Sequence, residues 1–272
     1  MVNGYQAAAL NEALDILAQK TVIPYSGGTD LMIEPDDNAI YLFLNKVPEM
    51  KKIVEDTEYI RIGAACTFTD ILESELTPAI LKEAVSQIAA PAIRNLGTVG
   101  GNICNGSPKA DSALIFVATD AKLRLASSRG ERIIPITEFY LGRKKTALAA
   151  DELLVEILMH KTGLGNYYYK KVGARDALAI SRVSFAAILN VAKGKIVNCM
   201  TAFGAVSDVI IRRAELDAML TGKTLAEAKA VREAYLTAYN QAIVPIRGRI
   251  SAEYRKAVCM NLLRDFLESN GI

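Results

Sequence analysis

The chain of 272 residues is long enough to bury a sizeable core, as one large domain or as two to three smaller ones. Hydrophobic residues make up 51% and charged residues 23%, as in ordinary soluble globular proteins, and the net charge of +2 gives no electrostatic case for binding nucleic acid. Because the chain has neither a run of about 18 apolar residues nor a secretion signal, we expect a cytoplasmic protein with no membrane contact.

The first part of the chain predicts one helix and two strands. Apolar residues at helical spacing favour a helix over 7–19, with Leu10 and Leu14 on its buried face. Short apolar runs at 21–25 and 39–44 are typical of strands, and polar turn residues lie between them. These elements indicate a small α/β unit.

The middle of the chain continues this mixture of helix and strand. Residues 59–63 alternate in polarity as a half-buried strand does. Thr67 or Thr69 then begins a short helix as its N-cap, because a threonine hydroxyl can accept from a free backbone N–H of the first turn. Pro78 begins a helix over 79–89, in a position where proline suits a helix start.

Three further strands close this middle unit. Two of them, at 121–126 and 132–136, flank the turn 127–130 and predict a hairpin. The third is an apolar run at 153–158. It is followed by the only histidine of the chain, His160, which we interpret as a strand-end residue rather than a catalyst.

The last third of the chain reads as strands followed by helices, which is typical of an α+β domain. Two long β-like runs at 181–192 and 196–206 surround a short Lys-Gly-Lys turn and predict a hairpin. Helical patterns follow at 212–220, 224–241 and 251–268. Gly222-Lys223-Thr224 resembles the end of a P-loop but lacks its first glycine, so we interpret it as a turn between helices.

The cysteine and histidine content argues against several kinds of site. The four cysteines are far apart in the sequence and form no iron–sulfur or zinc ligand pattern; they are Cys66, Cys104, Cys199 and Cys259. In a reducing compartment we expect free thiols, several of them buried. A single histidine also argues against a histidine-rich metal site.

A glycine-rich stretch at 94–111 is the first candidate binding element. Its four glycines suit a backbone that turns sharply and approaches a ligand closely; they are Gly97, Gly100, Gly101 and Gly106. Successive N–H groups in such a loop form a concave anion site, and Thr98, Asn102 and Ser107 add side-chain donors. A glycine-rich surface turn is the alternative.

A second glycine pair strengthens the case for a bound phosphate. It lies in Ser-Gly-Gly-Thr-Asp-Leu at 26–31, directly after the predicted strand at 21–25. Two strand-linked Gly-Gly loops with threonine beside them can hold a dinucleotide pyrophosphate from two sides. Neither loop is the Rossmann fingerprint or a P-loop.

The order of these motifs resembles one known family. Residues 26–31, then Arg-Asn-Leu-Gly-Thr-Val-Gly-Gly-Asn-Ile at 94–103 and Ser-Pro-Lys-Ala-Asp at 107–111, resemble the FAD-binding (medium) subunits of molybdenum hydroxylases of the xanthine dehydrogenase and carbon monoxide dehydrogenase type. The resemblance covers nearly the whole chain. It implies FAD as cofactor, a molybdopterin-containing large subunit and a 2Fe–2S small subunit as partners, and NAD or another electron acceptor.

The resemblance also implies which residues bind the cofactor. The implied set is Ser26, Gly27, Gly28, Thr29, Asp30, Leu31, Thr98, Gly100, Gly101, Asn102, Cys104, Asn105, Asp111, Leu154 and Lys171. The glycines would admit the phosphates, and Thr29 would donate to a phosphate oxygen. We expect Asp30 to cap the following turn instead, because its charge repels phosphate.

Two of these residues, Asp111 and Leu154, also have ordinary structural interpretations, and a third, Lys171, would act through its charge. Asp111 would accept from ribityl or ribose hydroxyls, or serve as N-cap of a helix over 112–118, and both roles can coexist. Leu154 would contact the adenine or the flavin ring, or simply belong to the core. Lys171 would place a cation near the flavin and raise its potential.

The predicted fold class is α+β, with two small α/β subdomains forming an FAD-binding region and a C-terminal domain of antiparallel sheet plus helices. The predicted boundaries are 1–53, 54–165 and 166–272. The family assigns the first two units to FAD binding and the third to a domain packed against the flavin.

The resemblance predicts an FAD-binding electron-transfer subunit that takes electrons from a 2Fe–2S subunit and passes them to NAD or another acceptor. No general acid–base pair for substrate chemistry stands out in the sequence, which suits a redox relay. Two alternatives are a stand-alone oxidoreductase of the class related to UDP-N-acetylenolpyruvoylglucosamine reductase, and a non-catalytic assembly subunit.

Overall fold

The N-terminal part of the protein is a small parallel sheet with one helix, in a computed structural model that describes residues 3–248 and 250–272. Its elements are β1 (Asn3–Gln6), α1 (Leu10–Gln19), β2 (Ile23–Tyr25) and β3 (Ile40–Phe43). The strand order is β1-β3-β2, with both outer strands parallel to β3. Helix α1 buries its apolar face, including Leu10 and Leu14 as predicted.

The middle part holds a five-stranded antiparallel sheet and several short helices. Its elements are β4 (Ile53–Glu55), β5 (Tyr59–Gly63), α2 (Phe68–Glu73), α3 (Ala79–Ser86), α4 (Pro91–Arg94), α5 (Val99–Cys104), α6 (Asp111–Ala118), β6 (Lys122–Ser127), β7 (Gly130–Pro135), α7 (Ile136–Phe139), β8 (Tyr140–Gly142), β9 (Lys145–Thr146) and β10 (Leu153–His160). The sheet order is β4-β5-β10-β6-β7, and β8 pairs with β9 in a separate two-stranded sheet.

The apolar run of β10 is explained by its central position. All of its residues except His160 are buried, because the strand has a neighbour on each side and both of its faces are covered. The one charge in its interior, Glu156, is held by Arg61 at 2.7 Å and by Arg124 at 3.1 Å. His160 ends the strand, half exposed, with Nδ1 3.6 Å from a Glu58 oxygen.

The C-terminal part is an antiparallel sheet with the helices that follow it packed on one face. Its elements are β11 (Tyr167–Val172), β12 (Val183–Ala192), β13 (Lys195–Gly204), β14 (Ile211–Arg212), α8 (Ala214–Asp217), α9 (Leu225–Ala242) and α10 (Ala252–Ser269), with strand order β11-β12-β13-β14. Lys193 and Gly194 both have positive φ, as a two-residue hairpin turn requires. The predicted α+β class is confirmed.

Helix α6 joins the middle and C-terminal parts. All eight of its residues are buried, because it lies between α3 and α5 on one side and β12 and β13 on the other. Alternation along β12 divides its side chains between two cores: Ala186 and Ile188 belong to the large core shared with α6, and Phe185 and Ala187 to the core under α9 and α10.

Several predicted element boundaries are wrong. The helix predicted over 79–89 ends at Ser86, and the pattern at 212–220 contains only a four-residue helix, Ala214–Asp217. The glycine-rich stretch is not an open loop, because it contains α4 and α5. Thr67, not Thr69, is the N-cap of α2. The boundaries at 53 and 165 stay predictions.

Across the residues that the structure describes, no helix combines the length and apolarity needed to cross a membrane.

Candidate functional site

The first glycine loop presents a row of free backbone donors. The N–H groups of Gly27, Gly28, Thr29 and Asp30 find no acceptor within residues 3–248 and 250–272. The Ser26 hydroxyl is buried and also has no partner there. Gly28 has φ +70°, a left-handed conformation that turns the loop back sharply. Consecutive donors of this kind form a concave anion site.

The two glycine loops are in direct contact. A Cβ atom built on Gly27 would lie 1.9 Å from the Leu96 carbonyl oxygen, a distance that no side chain tolerates. Gly27 is therefore the residue that lets the first loop lie against the second. The contact places the free N–H groups of the first loop beside the segment that leads into Thr98.

In the second loop most backbone donors are already bonded. The Val99 N–H donates to Cys66 O at 3.0 Å, and the Gly100 N–H donates to Ala64 O at 2.8 Å. Thr98 is the N-cap of α5, and its Oγ1 accepts from the Gly101 N–H at 3.2 Å. These bonds attach the second loop to the end of β5 and leave it less free to donate to a ligand.

The neighbouring glycines of α5 have different surroundings. A Cβ on Gly100 would lie 2.6 Å from both the Cβ and the carbonyl oxygen of Ala64, so Gly100 allows close packing. Gly101 is exposed, and Thr98 Oγ1, at 3.0 Å, is the one atom of the described residues that lies near its Cβ position. Gly101 is thus the one of the pair that offers open surface to a ligand.

Asp111 is buried at the start of α6 and bonded on both oxygens. Its Oδ2 lies 2.7 Å from Lys171 Nζ, and its Oδ1 accepts from the Ser181 hydroxyl at 2.6 Å. The N-cap interpretation of Asp111 is wrong, because Ala110 occupies the N-cap and Asp111 is the first helical residue. Burial raises the pKa of the Asp111 carboxyl, while Lys171 and Ser181 oppose that rise.

Lys171 has two acceptors and is itself buried. Besides Asp111, its Nζ donates to the Gln87 carbonyl oxygen at 2.8 Å, which attaches β11 to the end of α3. Its positive charge is balanced by the carboxylate beside it. The field of the pair inside the site is therefore weaker than that of a lysine without a counter-charge.

A cavity of about 230 Å³ lies beside this pair, between the middle and C-terminal parts. Asn102, Asp111 and Lys171 line it, so the fold brings these three predicted site residues together. Asn102 Oδ1 accepts from the Ser112 hydroxyl at 2.7 Å. The remaining wall comes from 88–89 before α4, from 109–110 before α6 and from 178–181, where Leu178 and Ile180 remain mostly exposed.

Three other predicted site residues have structural roles in the fold. Leu154 is 4% exposed and pairs with Leu125 in the sheet, so it belongs to the core. Cys104 is half-buried at the end of α5, and burial raises the pKa of its thiol to about 12. Asn105 donates its backbone N–H to Gly101 O at 3.0 Å. Contacts of these residues with a cofactor stay predictions.

The end of the first loop differs slightly from the prediction. Asp30 is exposed and holds the N-cap position of a 3₁₀ turn at Leu31–Ile33, but its side chain makes no capping bond. The Ile33 N–H donates to the Asp30 carbonyl oxygen instead. Leu31 is half-buried in that turn.

Ser181 belongs to the site but was not predicted from the sequence. It lies 70 positions after Asp111 in an irregular segment, and nothing in its neighbours marks a binding residue. Arg175, in the segment before Ser181, donates to Ala177 O and Leu178 O and so stabilises its own loop.

The donor set fits the pyrophosphate of FAD. The first loop offers four free N–H groups and an unpartnered hydroxyl, which are the kind of donors that phosphate oxygens accept from. By contrast, among residues 3–248 and 250–272 no group of three or more His, Cys, Asp or Glu could hold a metal ion.

Comparisons with known proteins match the chain over nearly its whole length. Residues 1–159 match a family model described as the FAD binding domain in molybdopterin dehydrogenase. Residues 167–270 match the CO dehydrogenase flavoprotein C-terminal domain.

The relatives agree with these models. The chain is 34% identical over 267 residues to the xanthine dehydrogenase FAD-binding subunit of Escherichia coli O157:H7, covering 92% of this chain and 89% of that one. It is 28% identical over 272 residues to the nicotine 6-hydroxylase medium subunit of Paenarthrobacter nicotinovorans, covering 94% and 93%.

Solved structures show the same fold. The chain superposes with a TM-score of 0.89 and 25% identity on a chain of the carbon monoxide dehydrogenase from Hydrogenophaga pseudoflava that lacks the Mo-pyranopterin moiety of its molybdenum cofactor. The superposition covers 97% of this chain and 95% of that one. The protein therefore belongs to the family of FAD-binding subunits of the molybdenum hydroxylases, of the xanthine and carbon monoxide dehydrogenase type.

Proposed function

We propose that the protein is the electron-transfer subunit of a molybdenum hydroxylase complex, receiving electrons from a 2Fe–2S subunit and passing them from FAD to NAD or another acceptor. Bound FAD supplies the required chemistry, because a flavin can accept single electrons and release two together. The protein's own residues hold and orient the cofactor. The observation that carries the proposal is the row of free N–H groups at 27–30.

The pyrophosphate would lie where the two glycine loops meet. Donation from Gly27, Gly28, Thr29 and Asp30 would satisfy backbone groups that have no described partner, and Ser26 Oγ would gain its hydrogen bond. Gly101 would leave space for the phosphate oxygens. Asp30 would take part through its backbone only, since its carboxylate repels phosphate.

The cavity beside Asn102, Asp111 and Lys171 would accept another part of the cofactor. Its Asp111 and Lys171 side chains are buried and fixed by hydrogen bonds, so they can orient a bound group with little loss of side-chain entropy. We assign this cavity to the ribityl chain or the ring.

Partner subunits would carry the remaining redox centres. The described residues of this chain offer no cluster of metal-ligating side chains, so a 2Fe–2S centre and the molybdopterin would be held by other chains. A relative named as a medium subunit supports such an assembly. All four cysteines are free thiols, which suits the cytoplasm as its location.

The test is the flavin content of the purified chain and of two glycine variants. We expect wild-type protein to show flavin absorption bands and to release FAD on heating. Gly101→Val should lose FAD while its far-UV circular dichroism and melting temperature remain close to wild type, because open space surrounds its side-chain position except for Thr98 Oγ1.

Gly165→Val is the matched control. Its Cβ position has no neighbour within 4 Å among the described residues, and it lies outside both loops, so this variant should keep its FAD. Normal FAD binding by Gly101→Val would show that the second loop does not contact the pyrophosphate. A wild-type chain that neither carries nor takes up FAD would contradict the proposed function.

A further inference from the structure

The carboxylate of Asp111 connects two parts of the chain. Asp111 itself starts α6 in the FAD-binding region, whereas both of its partners, Lys171 and Ser181, come from the C-terminal domain. Ser181 is 2% exposed and its hydroxyl bond to Asp111 is 2.6 Å long. The position of this carboxylate in the site thus depends on the C-terminal domain.

A second hydrogen bond joins the FAD-binding region to the C-terminal domain at Pro108, three residues before Asp111. The Ala205 N–H, just after β13, donates to the Pro108 carbonyl oxygen at 2.6 Å. Ala205 has φ +63°, an uncommon conformation for a residue with a side chain. The segment 108–111 is therefore held at both ends by residues of the C-terminal domain.

Arg255 of α10 stabilises the two segments that make these contacts. Its Nη1 donates to the Arg182 carbonyl oxygen at 2.7 Å and also to the Ala205 carbonyl oxygen. Arg182 follows Ser181 directly, so one guanidinium fixes both segments that contact 108–111.

Arg255 is a buried residue whose charge has no ionic partner among the described residues. The residue is 5% exposed, and no carboxylate of residues 3–248 or 250–272 forms an ion pair with it. Burying a guanidinium without a counter-charge is costly, and only its bonds to carbonyl oxygens offset that cost here. A leucine or methionine would fill the same space without the desolvation cost, but it could not join the two carbonyl groups.

We propose that Ser181 and Arg255 are positioning residues of the flavin site, which fix the Asp111 carboxylate and the 108–111 segment on the wall of the 230 Å³ cavity. The proposal rests on the proposed FAD site. Neither residue needs to touch the cofactor, since Ser181 acts through Asp111 and Arg255 acts through Arg182 and Ala205. The C-terminal domain thereby determines the geometry of a site whose phosphate-binding loops lie in another domain.

Removing the Ser181 hydroxyl should weaken FAD binding. Asp111 would keep Lys171 but lose its second donor, so the carboxylate could rotate and would accept less well from a hydroxyl of the cofactor. Because the Ser181–Asp111 bond exists before FAD binds, its loss affects binding only through the poorer positioning of the carboxylate, for which we expect a rise of about tenfold in the dissociation constant.

The experiment compares Ser181→Ala with Ser184→Ala in the full chain, stripped of flavin and titrated with FAD. Ser184 is 1% exposed, lies three residues further along, and its hydroxyl has no described partner. We expect Ser181→Ala to raise the FAD dissociation constant about tenfold and to change the visible circular dichroism of bound flavin. Ser184→Ala should change neither.

Arg255 is tested by its charge-conserving variant. Arg255→Met removes both carbonyl contacts, and we expect the same change in visible circular dichroism as in Ser181→Ala. Arg255→Lys keeps one or both contacts and should restore most of the signal. A structural role alone would lower the melting temperature in these variants without altering the circular dichroism of the flavin that remains bound.

The outcomes separate this proposal from the function on which it rests. If Gly101→Val loses FAD but Ser181→Ala binds it as wild type does, with an unchanged flavin spectrum, the positioning role is wrong and the site stands. If neither variant affects FAD binding, the site itself is misassigned. Weaker binding by Ser184→Ala to the same extent as by Ser181→Ala would also overturn the positioning role.

Discussion

The two glycine loops look alike in sequence and differ in what their backbones do. The loop at 27–30 leaves four N–H groups without a described acceptor, whereas the loop at 97–101 bonds its donors to Ala64, to Cys66 and to its own Thr98. One loop therefore has donors available for a ligand, and the other is a scaffold on which it rests. In both loops a glycine allows a close backbone approach, of Gly27 to Leu96 in the first loop and of Gly100 to Ala64 in the second.

The largest expected effect comes from separating the loops. In Gly27→Ala the new methyl group would lie 1.9 Å from the Leu96 carbonyl oxygen, so the first loop must move away. We expect loss of FAD binding and a fall of about 3 kcal/mol in the free energy of unfolding, measured by FAD titration and urea denaturation. Gly165→Ala, with nothing near its Cβ position, is the control and should bind FAD normally.

Two variants within α5 test whether the second loop acts as a scaffold. Gly100→Ala would place a methyl 2.6 Å from the Ala64 backbone and should lower the free energy of unfolding by about 2 kcal/mol. Gly101→Ala, one position later, meets only Thr98 Oγ1 and should be as stable as wild type or more stable, because alanine favours a helix. Equal losses of stability in urea denaturation would contradict the distinction between the two glycines.

The smallest expected effect concerns the buried hydroxyl of the first loop. Ser26→Ala removes an unpartnered polar atom, so the flavin-free protein should be as stable as wild type or more stable by about 1 kcal/mol. Its FAD dissociation constant should rise about fivefold, because the hydroxyl finds its acceptor only in the complex. Unchanged affinity, measured by quenching of FAD fluorescence, would remove Ser26 from the site.

Local patterns were enough for most regular elements. The amphipathic face of α1, the hairpin at Lys193–Gly194 and the strand at Tyr59–Gly63 depend on near neighbours in sequence, and all three are found as predicted. The prediction of a loop was wrong at α5, where capping and tertiary contacts favour a helix although the glycine content favours a loop. Val99–Cys104 is helical although it holds two adjacent glycines, because Thr98 caps it and Gly100 packs on Ala64.

The family was thus predictable from the sequence alone, because the two glycine pairs and their order report a local backbone requirement that needs no knowledge of the rest of the fold. The hydrogen-bond partners of Asp111 could not be predicted from the sequence, since Lys171 and Ser181 lie 60 and 70 positions away and Arg255 lies further still. Only folding brings these groups together: burial of α6 removes Asp111 from water, and a buried carboxylate requires partners that the C-terminal domain supplies.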